Sequence, residues 1–378
     1  MTVEMAPCRG ALRFVVLLLA LSGLAGPGAP ARPSAQSNTA SSNTVSACDI
    51  ITAERIVAVG DVHGAYDRLV GILRAAGLID ARARWTGGRA VLVQTGDVLD
   101  RGPDSRKAMD LLRRLERDAA RAGGRVHVLL GNHEVMRMIS DWRYVSAGEL
   151  DAFRTATSGE LRDRTYAIVS AAAEDQARRE KRPHDEAGFR ARFLKDVPLG
   201  YIEMRQAFDR MGEYGRWLRG QNAVVRINGI IFVHGGIDPA TAALGCDGIN
   251  QAVRRDLMTA NPSPAQAAAL FSSSETGPLW YRGLAEEPDP DFAPQVTAIL
   301  RALGARAVVI GHTVAPGFAI RTRFGGRVVQ IDTGMLGGEN YPGGVASALE
   351  IRGDMVTAIY DTRRDRLPDL PSLVLSPP

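Results

Sequence analysis

The heptapeptide Gly96-Asp97-Val98-Leu99-Asp100-Arg101-Gly102 concentrates two carboxylates and a guanidinium within five residues. A carboxylate such as Asp97 can ligate a metal with both oxygens. A guanidinium such as Arg101 can hold a tetrahedral oxyanion through two parallel N–H donors. Four other short stretches carry ligand-type residues beside glycine: Gly60-Asp61-Val62-His63-Gly64, Gly131-Asn132-His133-Glu134, His234-Gly235-Gly236 and Gly311-His312-Thr313. Asp61, His63 and Asp97 can form one metal site. Asp97, Asn132, His234 and His312 can form a second, with Asp97 bridging the two. Mixed oxygen and imidazole donors suit two divalent ions of Mn, Fe or Zn better than Ca or Cu(I). Two metals about 3.5–4 Å apart can clamp a phosphoryl group and acidify a bridging water for in-line attack on phosphorus. Arg101 would neutralise the non-bridging oxygens. His133 is the candidate acid for the leaving oxygen, and Asp100 can orient it and favour its charged form.

These residues need elements that bring them to one place. Each stretch follows an apolar, β-like run: Ile56–Gly60, Ala90–Gln94, Val126–Gly131, Ile230–Val233 and Ala307–Gly311. Open α/β sheets put their ligands at the carboxyl ends of strands, so five strand ends would supply one rim. Tyr66–Ala76 and Asp104–Ala122 have apolar residues at helical spacing, and Gly123-Gly124 ends the second. The resulting β-α-β-α-β order implies parallel strands with right-handed crossovers. Residues 146–220 are rich in Arg, Glu and Ala and are expected to form a mainly helical insertion with a solvated, charged surface. Asn228-Gly229 between two apolar runs predicts a two-residue hairpin. Gln251–Thr259, Pro264–Phe271 and Phe292–Leu303 are expected helices. Gly317–Arg321, Arg327–Ile331, Ala346–Ile351 and Met355–Tyr360 are expected antiparallel strands completing a second sheet, and residues 363–378 a loose C-terminal tail.

With 378 residues, 45% of them hydrophobic and 23% charged, the chain has room for a large core. The formal net charge of +4 is partly a property of the N-terminus. Beyond residue 32 there are 43 basic and 41 acidic residues, a balance that argues against a nucleic-acid partner. Arg9 and Arg13 followed by the apolar run Phe14–Leu24 have the form of a secretory signal, residues 1–31. An uncleaved anchor is the rival reading, and only then would the membrane be a partner. Residues 32–48 have a linker composition, and 49–362 would form the folded domain. Export implies a periplasmic or secreted protein, in which Cys48 and Cys246 could pair. His127, inside a β run, and His184, in the polar insertion, fit structural roles. Arg282, in Trp280-Tyr281-Arg282-Gly283, is either a second phosphate clamp or a surface arginine stacked on an aromatic ring. Asp332-Thr333-Gly334 is either a support for the ligands or a turn.

The ordered motifs from Gly60 to Thr313 resemble the signatures of the phosphoprotein phosphatases, a family of dinuclear calcineurin-like metallophosphoesterases. Trp280-Tyr281-Arg282-Gly283 is most similar to the bacterial, Shewanella-like branch. The resemblance implies an α/β sandwich of two mixed β-sheets flanked by helices. It implies the two ligand sets above, His133 as proton donor supported by Asp100, and Arg101 with Arg282 on the phosphate. The Ser-Ala-Pro-Asn-Tyr loop of the eukaryotic Ser/Thr enzymes is not visible, and Asp332-Thr333-Gly334-Met335 stands in its region. The expected activity is hydrolysis of phosphate monoesters on Ser/Thr or Tyr of a phosphorylated protein or peptide. The alternatives are a dinucleoside polyphosphate hydrolase, a non-catalytic phosphate-binding module, and an interaction protein using the insertion.

Overall fold

The computed structural model describes residues 48–259 and 262–372. The expected leader and residues 32–47 of the linker lie outside the described residues. Among the described residues no helix is long and apolar enough to cross a membrane.

Two compact units divide the chain. The larger comprises residues 44–152 and 207–378. Among the described residues it contains twelve short strands: β1 (Asp49–Ile50), β2 (Ile56–Val59), β3 (Val91–Gln94), β4 (Arg125–Val128), β5 (Val224–Ile227), β6 (Ile230–Val233), β7 (Ala307–Ile310), β8 (Arg321–Arg323), β9 (Val328–Gln330), β10 (Ser347–Arg352), β11 (Met355–Tyr360) and β12 (Arg364–Leu367). They form two six-stranded mixed sheets, ordered β1-β5-β6-β7-β9-β8 and β12-β11-β10-β2-β3-β4. The strands β2, β6 and β7 are apolar throughout because both their faces are covered. Ile230 and Phe232 of β6 and Ala307 and Val309 of β7 join Ile56 and Ala58 of β2 and Val91 and Val93 of β3 in the core shared by the sheets. The alternate residues Ile231, Val233, Val308 and Ile310 face the other way, onto Ile249, Val296 and Ile299. Those residues lie on helices at Gly245–Leu257 and Asp289–Ala302. The result is the expected α/β sandwich of two mixed sheets flanked by helices.

The helices that position the site are α1 (Tyr66–Ala75), α2 (Ser105–Arg121) and α3 (Asn132–Met138). Residues β2-α1-β3-α2-β4 form the parallel crossovers expected from their order. The Asn228-Gly229 turn is tight, with φ of 52° and 71°, and closes the β5–β6 hairpin with Ile227 opposite Ile230. Cys48 and Cys246 form a disulfide with Cα atoms 6.0 Å apart. It ties the residue before β1 to the Gly245–Leu257 helix.

Three expectations change at the C-terminal end. Gly317–Arg321 is not a strand: Gly317 takes φ 72° in a 3₁₀ turn, and β8 begins only at Arg321. The late strands are split between the sheets, β8 and β9 joining one and β10, β11 and β12 the other. The tail is not loose from Arg363: β12 pairs antiparallel with β11, and Leu370 is buried in the shared core. Its run of four charged residues, Arg363 to Arg366, reads as solvent-exposed, but β11 offers a free edge that an extended chain satisfies.

Within the described residues the second unit is Phe153–Gln206. It holds a 22-residue helix, Ser158–Arg179, a helix at Glu186–Asp196 and most of a third at Tyr201–Phe208. Tyr166 anchors the first pair, its ring 5.3 Å from that of Phe193 and its hydroxyl bonded to Glu186. Arg178 and Arg179 pair one turn back with Glu174 and Asp175 on an exposed face. The segments Ser146–Ala152 and Ala207–Gly220, counted with the insertion on sequence grounds, cluster with the larger unit.

Candidate active site

The first loop after a strand sets the pattern. Gln94 at the end of β3 is buried, and its side-chain amide donates to the carbonyls of Gly60 (3.2 Å) and Gly96 (2.6 Å). Its own Oε1 accepts from the Gly96 N–H. This pins the chain as it leaves the sheet. Gly96 turns with φ 98°, and a Cβ there would lie 2.4 Å from the Gly131 nitrogen. The loops after β3 and β4 therefore touch backbone to backbone. Glu134 locks them: its buried carboxylate accepts from the N–H groups of Asp97 (2.8 Å), Val98 (2.9 Å) and Gly131 (2.8 Å). The loop after β2 joins through Val62 and His63, whose N–H groups both donate to the Asp97 carbonyl at 2.9 Å. His63, Asp97, Asp100, Arg101 and His312 all have φ between 46° and 69°. Non-glycine residues rarely take this left-handed conformation, and it concentrates where side chains must be re-aimed at a site.

The side chains converge. His63 gives Nδ1–H to the Leu99 carbonyl at 2.8 Å, and His234 gives Nδ1–H to the Thr95 carbonyl at 3.0 Å. Each bond fixes the tautomer and turns a bare Nε2 lone pair toward the centre. His63 Nε2 lies 3.6 Å from Asp97 Oδ2 and 4.0 Å from Asp61 Oδ2. His234 Nε2 lies 3.3 Å from Asp97 Oδ2, 2.9 Å from Asn132 Oδ1 and 3.1 Å from His312 Nδ1. Asp61 accepts from the His312 N–H at 3.0 Å. Thus all six residues expected from sequence to hold metal are neighbours in the larger unit. Two groups of them have ligand atoms within 4.8 Å of one another: Asp97, His234 and His312, and His63 and Asp97 together with His133. Such a packing of lone pairs is unfavourable alone. Burial, and then repulsion from Asp332, push the Asp61 carboxyl well above the usual carboxylate range. Burial likewise pushes Asp332 up to about 6. Divalent cations would remove this penalty, and the oxygen and imidazole donors suit Mn, Fe or Zn. The residues fit the group.

His133 stands beside this cluster. Its Nδ1 is 2.7 Å from Asp100 Oδ2, which leaves Nε2 directed to the site, 3.8 Å from Asp97 Oδ2. Burial opposes its charged form, but the Asp97 and Asp100 carboxylates more than offset this, and the pKa is raised. Arg101 is held at its backbone by the Tyr144 carbonyl (2.9 Å). Its guanidinium lies over the rings of Tyr144 (5.0 Å) and Tyr341 (5.7 Å), and its buried Nε has no partner among the described residues. Arg282 donates from Nη1 to Thr313 Oγ1 (2.8 Å) and to the His312 carbonyl (3.2 Å). Of the two readings left open for Arg282, the structure brings it to the site beside His312. Asp332 is buried against Asp61 and accepts from Gly334 N–H at 2.9 Å, so it both supports a ligand and makes a turn. His127 stays in β4, where burial lowers its pKa to about 4, and His184 bonds Glu186 at 3.0 Å in the helical unit. Neither joins the cluster.

The sequence did not point to Arg137, Glu149, Tyr144 or Tyr341. Arg137 is fully buried, ion-paired with Asp100 Oδ1 and 3.5 Å from Glu149. It packs over Trp142 and Phe208 at 5.0 and 5.2 Å. Glu149 accepts from the Asp100 N–H at 3.1 Å. A signal existed: Arg137 is four residues after His133 on one helix, the spacing that stacks side chains on one face. Tyr341 stacks nearly parallel to His63, centroids 6.0 Å apart, from a loop with no local mark of its role.

The family profile for calcineurin-like phosphoesterases matches residues 54–316, which contain every one of these strand-end motifs. The chain belongs to the calcineurin-like phosphoesterase family. This phosphoesterase is 30% identical over 305 residues to Shewanella-like protein phosphatase 2 of Arabidopsis thaliana, covering 80% of this chain and 76% of that one. It is similar to the crystal structure of the cold-active protein-tyrosine phosphatase of a psychrophilic Shewanella species, with a TM-score of 0.63 and 25% identity over 86% of this chain and 83% of that one. A stretch of 77 residues is 36% identical to the symmetrical bis(5'-nucleosyl)-tetraphosphatase of Escherichia coli, covering 20% of this chain and 22% of that one. The phosphoesterase is a phosphoric monoester hydrolase with protein phosphatases among its relatives.

Proposed function

We propose that this phosphoesterase is a metal-dependent protein phosphatase that acts in the periplasm or outside the cell. It removes phosphate from tyrosine, serine or threonine of a phosphorylated protein or peptide. The observation that carries the reading is the His133–Asp100 pair, 2.7 Å apart, set against the convergence of Asp97, His234 and His312. Asp61, His63 and Asp97 would hold one divalent cation, and Asp97, Asn132, His234 and His312 a second. Such ions would supply positive charge for phosphoryl oxygens and would lower the pKa of a bound water.

The chain's own residues supply the rest. Arg101 and Arg282 bind non-bridging oxygens of the phosphoryl group. Arg282 spends Nη1 on Thr313 and the His312 carbonyl, which leaves donors on its other nitrogens for an anion. Asp100 holds His133 Nδ1–H, so the proton that leaves comes from Nε2 and goes to the departing alkoxide or phenoxide oxygen. Arg137 and Glu149 hold Asp100 from behind, through its second oxygen and its backbone N–H. The exposed Tyr144 ring and the half-buried Tyr341 ring flank Arg101 and restrict how a substrate side chain approaches it.

The test is orthophosphate release by the mature protein, stripped of metal and reloaded with Mn, from matched phosphotyrosyl and phosphoseryl peptides. Metal-dependent release is expected from at least one. A dinucleoside polyphosphate hydrolase is the competing substrate class, with a likeness of 77 residues against 305 for the phosphatase relative. Cleavage of a dinucleoside tetraphosphate with no release from either peptide would establish that class instead.

A further inference from the structure

A cleft of about 630 Å³ lies along α2, lined by Tyr66, Lys107, Asp110, Leu111, Arg113, Arg114, Arg117 and Glu213. None of these residues enters the chemistry above. Its near end adjoins the catalytic loops, because the loops entering α1 and α2 are bonded to each other. Gly102 N–H donates to the His63 carbonyl at 3.0 Å, and Asp104 N–H to the Gly64 carbonyl at 3.2 Å. Tyr66 and Lys107 follow directly, and Arg117 lies ten residues further along the helix, about 15 Å away.

The charges of the cleft do not cancel internally. Four cations face two anions, and both anions use the same arginine. Glu213 pairs with Arg113 at 2.6 Å. Asp110 lies 3.7 Å from Arg113 and accepts the Tyr214 hydroxyl at 2.7 Å. Arg114 donates one N–H to the Ala83 carbonyl at 2.8 Å, while its buried Nε has no acceptor among the described residues. Arg117 is exposed and makes no hydrogen bond or ion pair among the described residues. Among the described residues Lys107 bonds only Asp104, at the surface. Leu111 is buried beneath them and gives the cleft an apolar floor. A concave surface with surplus guanidinium groups and an apolar base recognises an extended chain carrying carboxylates.

Building on the protein phosphatase reading, we propose that this cleft docks an acidic segment of the substrate, beside the phosphorylated residue. At about 3.3 Å per residue, 15 Å corresponds to about five residues of extended peptide. Arg114 and Arg117 bind its carboxylates, and Lys107 sits at the end nearer the phosphate.

The test compares, in both phosphotyrosyl and phosphoseryl form, a peptide with five Asp or Glu residues beside the phosphorylated residue and one with five Ser or Gln, each made with the run on either side. The wild type should show a kcat/KM about tenfold higher for an acidic peptide, mainly through KM. That preference should fade between about 0.05 and 0.5 M salt, because the contacts are partly exposed. Arg114→Glu with Arg117→Glu should abolish the preference, while p-nitrophenyl phosphate, which does not reach the cleft, is turned over within about twofold of wild type. Arg117→Glu alone alters only an exposed side chain and should remove about threefold of the preference. Equal kcat/KM for acidic and neutral peptides, or a preference that survives the double variant, overturns the docking role and leaves the phosphatase reading intact. Hydrolysis of p-nitrophenyl phosphate with no hydrolysis of any peptide overturns both.

Discussion

The chemistry of this site depends on keeping one imidazole charged and correctly turned among buried carboxylates. His133 has Nδ1 on Asp100, and Asp100 has its other oxygen on Arg137. His133→Ala should lower turnover of alkyl phosphates by about 10²–10⁴-fold, and that of p-nitrophenyl phosphate far less, because a good leaving group needs no proton. Metal content measured on the same protein should stay at wild-type level; loss of metal would make His133 a ligand rather than an acid. Arg137 acts one step further back. Arg137→Leu would leave Asp100 and Glu149 buried without their countercharge, at a stability cost of about 3–5 kcal/mol. At a temperature where the variant is folded, its loss of rate should also be greater for alkyl than for aryl phosphates. A loss equal across leaving groups would mean that Arg137 is only structural.

At the level of the elements, the three loops after β2, β3 and β4 are fastened into one platform with the help of side chains that do not touch substrate. Gln94 pins the turn after β3, and Glu134 spans the loops after β3 and β4. The closest approach is Gly96 against Gly131. Gly96→Ala would put a methyl 2.4–2.6 Å from the Gly131 N and Cα atoms, at a position with φ 98°. The expected cost is about 1–3 kcal/mol in denaturant unfolding, together with weaker metal binding, since Asn132 and His133 follow Gly131. An alanine variant with unchanged metal affinity would show that the platform tolerates movement. The helices α1 and α2 start from the same loops. A substrate held along α2 is therefore referenced to the residues that hold its phosphate.

On the scale of the molecule, the sandwich brings together residues 251 positions apart in sequence, such as Asp61 and His312. The disulfide spans a comparable separation, 198 residues, and holds the start of the larger unit to a helix on the opposite side of the β1-containing sheet's residues from the shared core. Replacing Cys48 and Cys246 by Ser should lower unfolding free energy by about 2–4 kcal/mol, with little change in turnover at low temperature. Unfolding of the wild type with and without reductant would show the same difference. Identical midpoints in all three samples would mean that the bridge contributes nothing to the folded chain.

Much of the site was readable from sequence because its ligands occupy loops of two or three residues directly after apolar runs. A strand that ends in glycine and then Asp, Asn or His declares both its direction and its cargo. The family profile and the two mixed sheets agree with that reading. Pairing partners were not readable. The C-terminal strands β8 to β12 are short and locally alike, and only the edges left free by other strands decide which sheet takes each one. The same holds for the supports of the site. Arg137, Glu149 and Tyr341 have ordinary neighbours in sequence, and acquire their roles only where folding brings them against Asp100 and His63. Residue type and spacing determine what chemistry is available to this chain. Long-range packing, which buries charges together and gives each its partners, decides which side chains hold that chemistry in place.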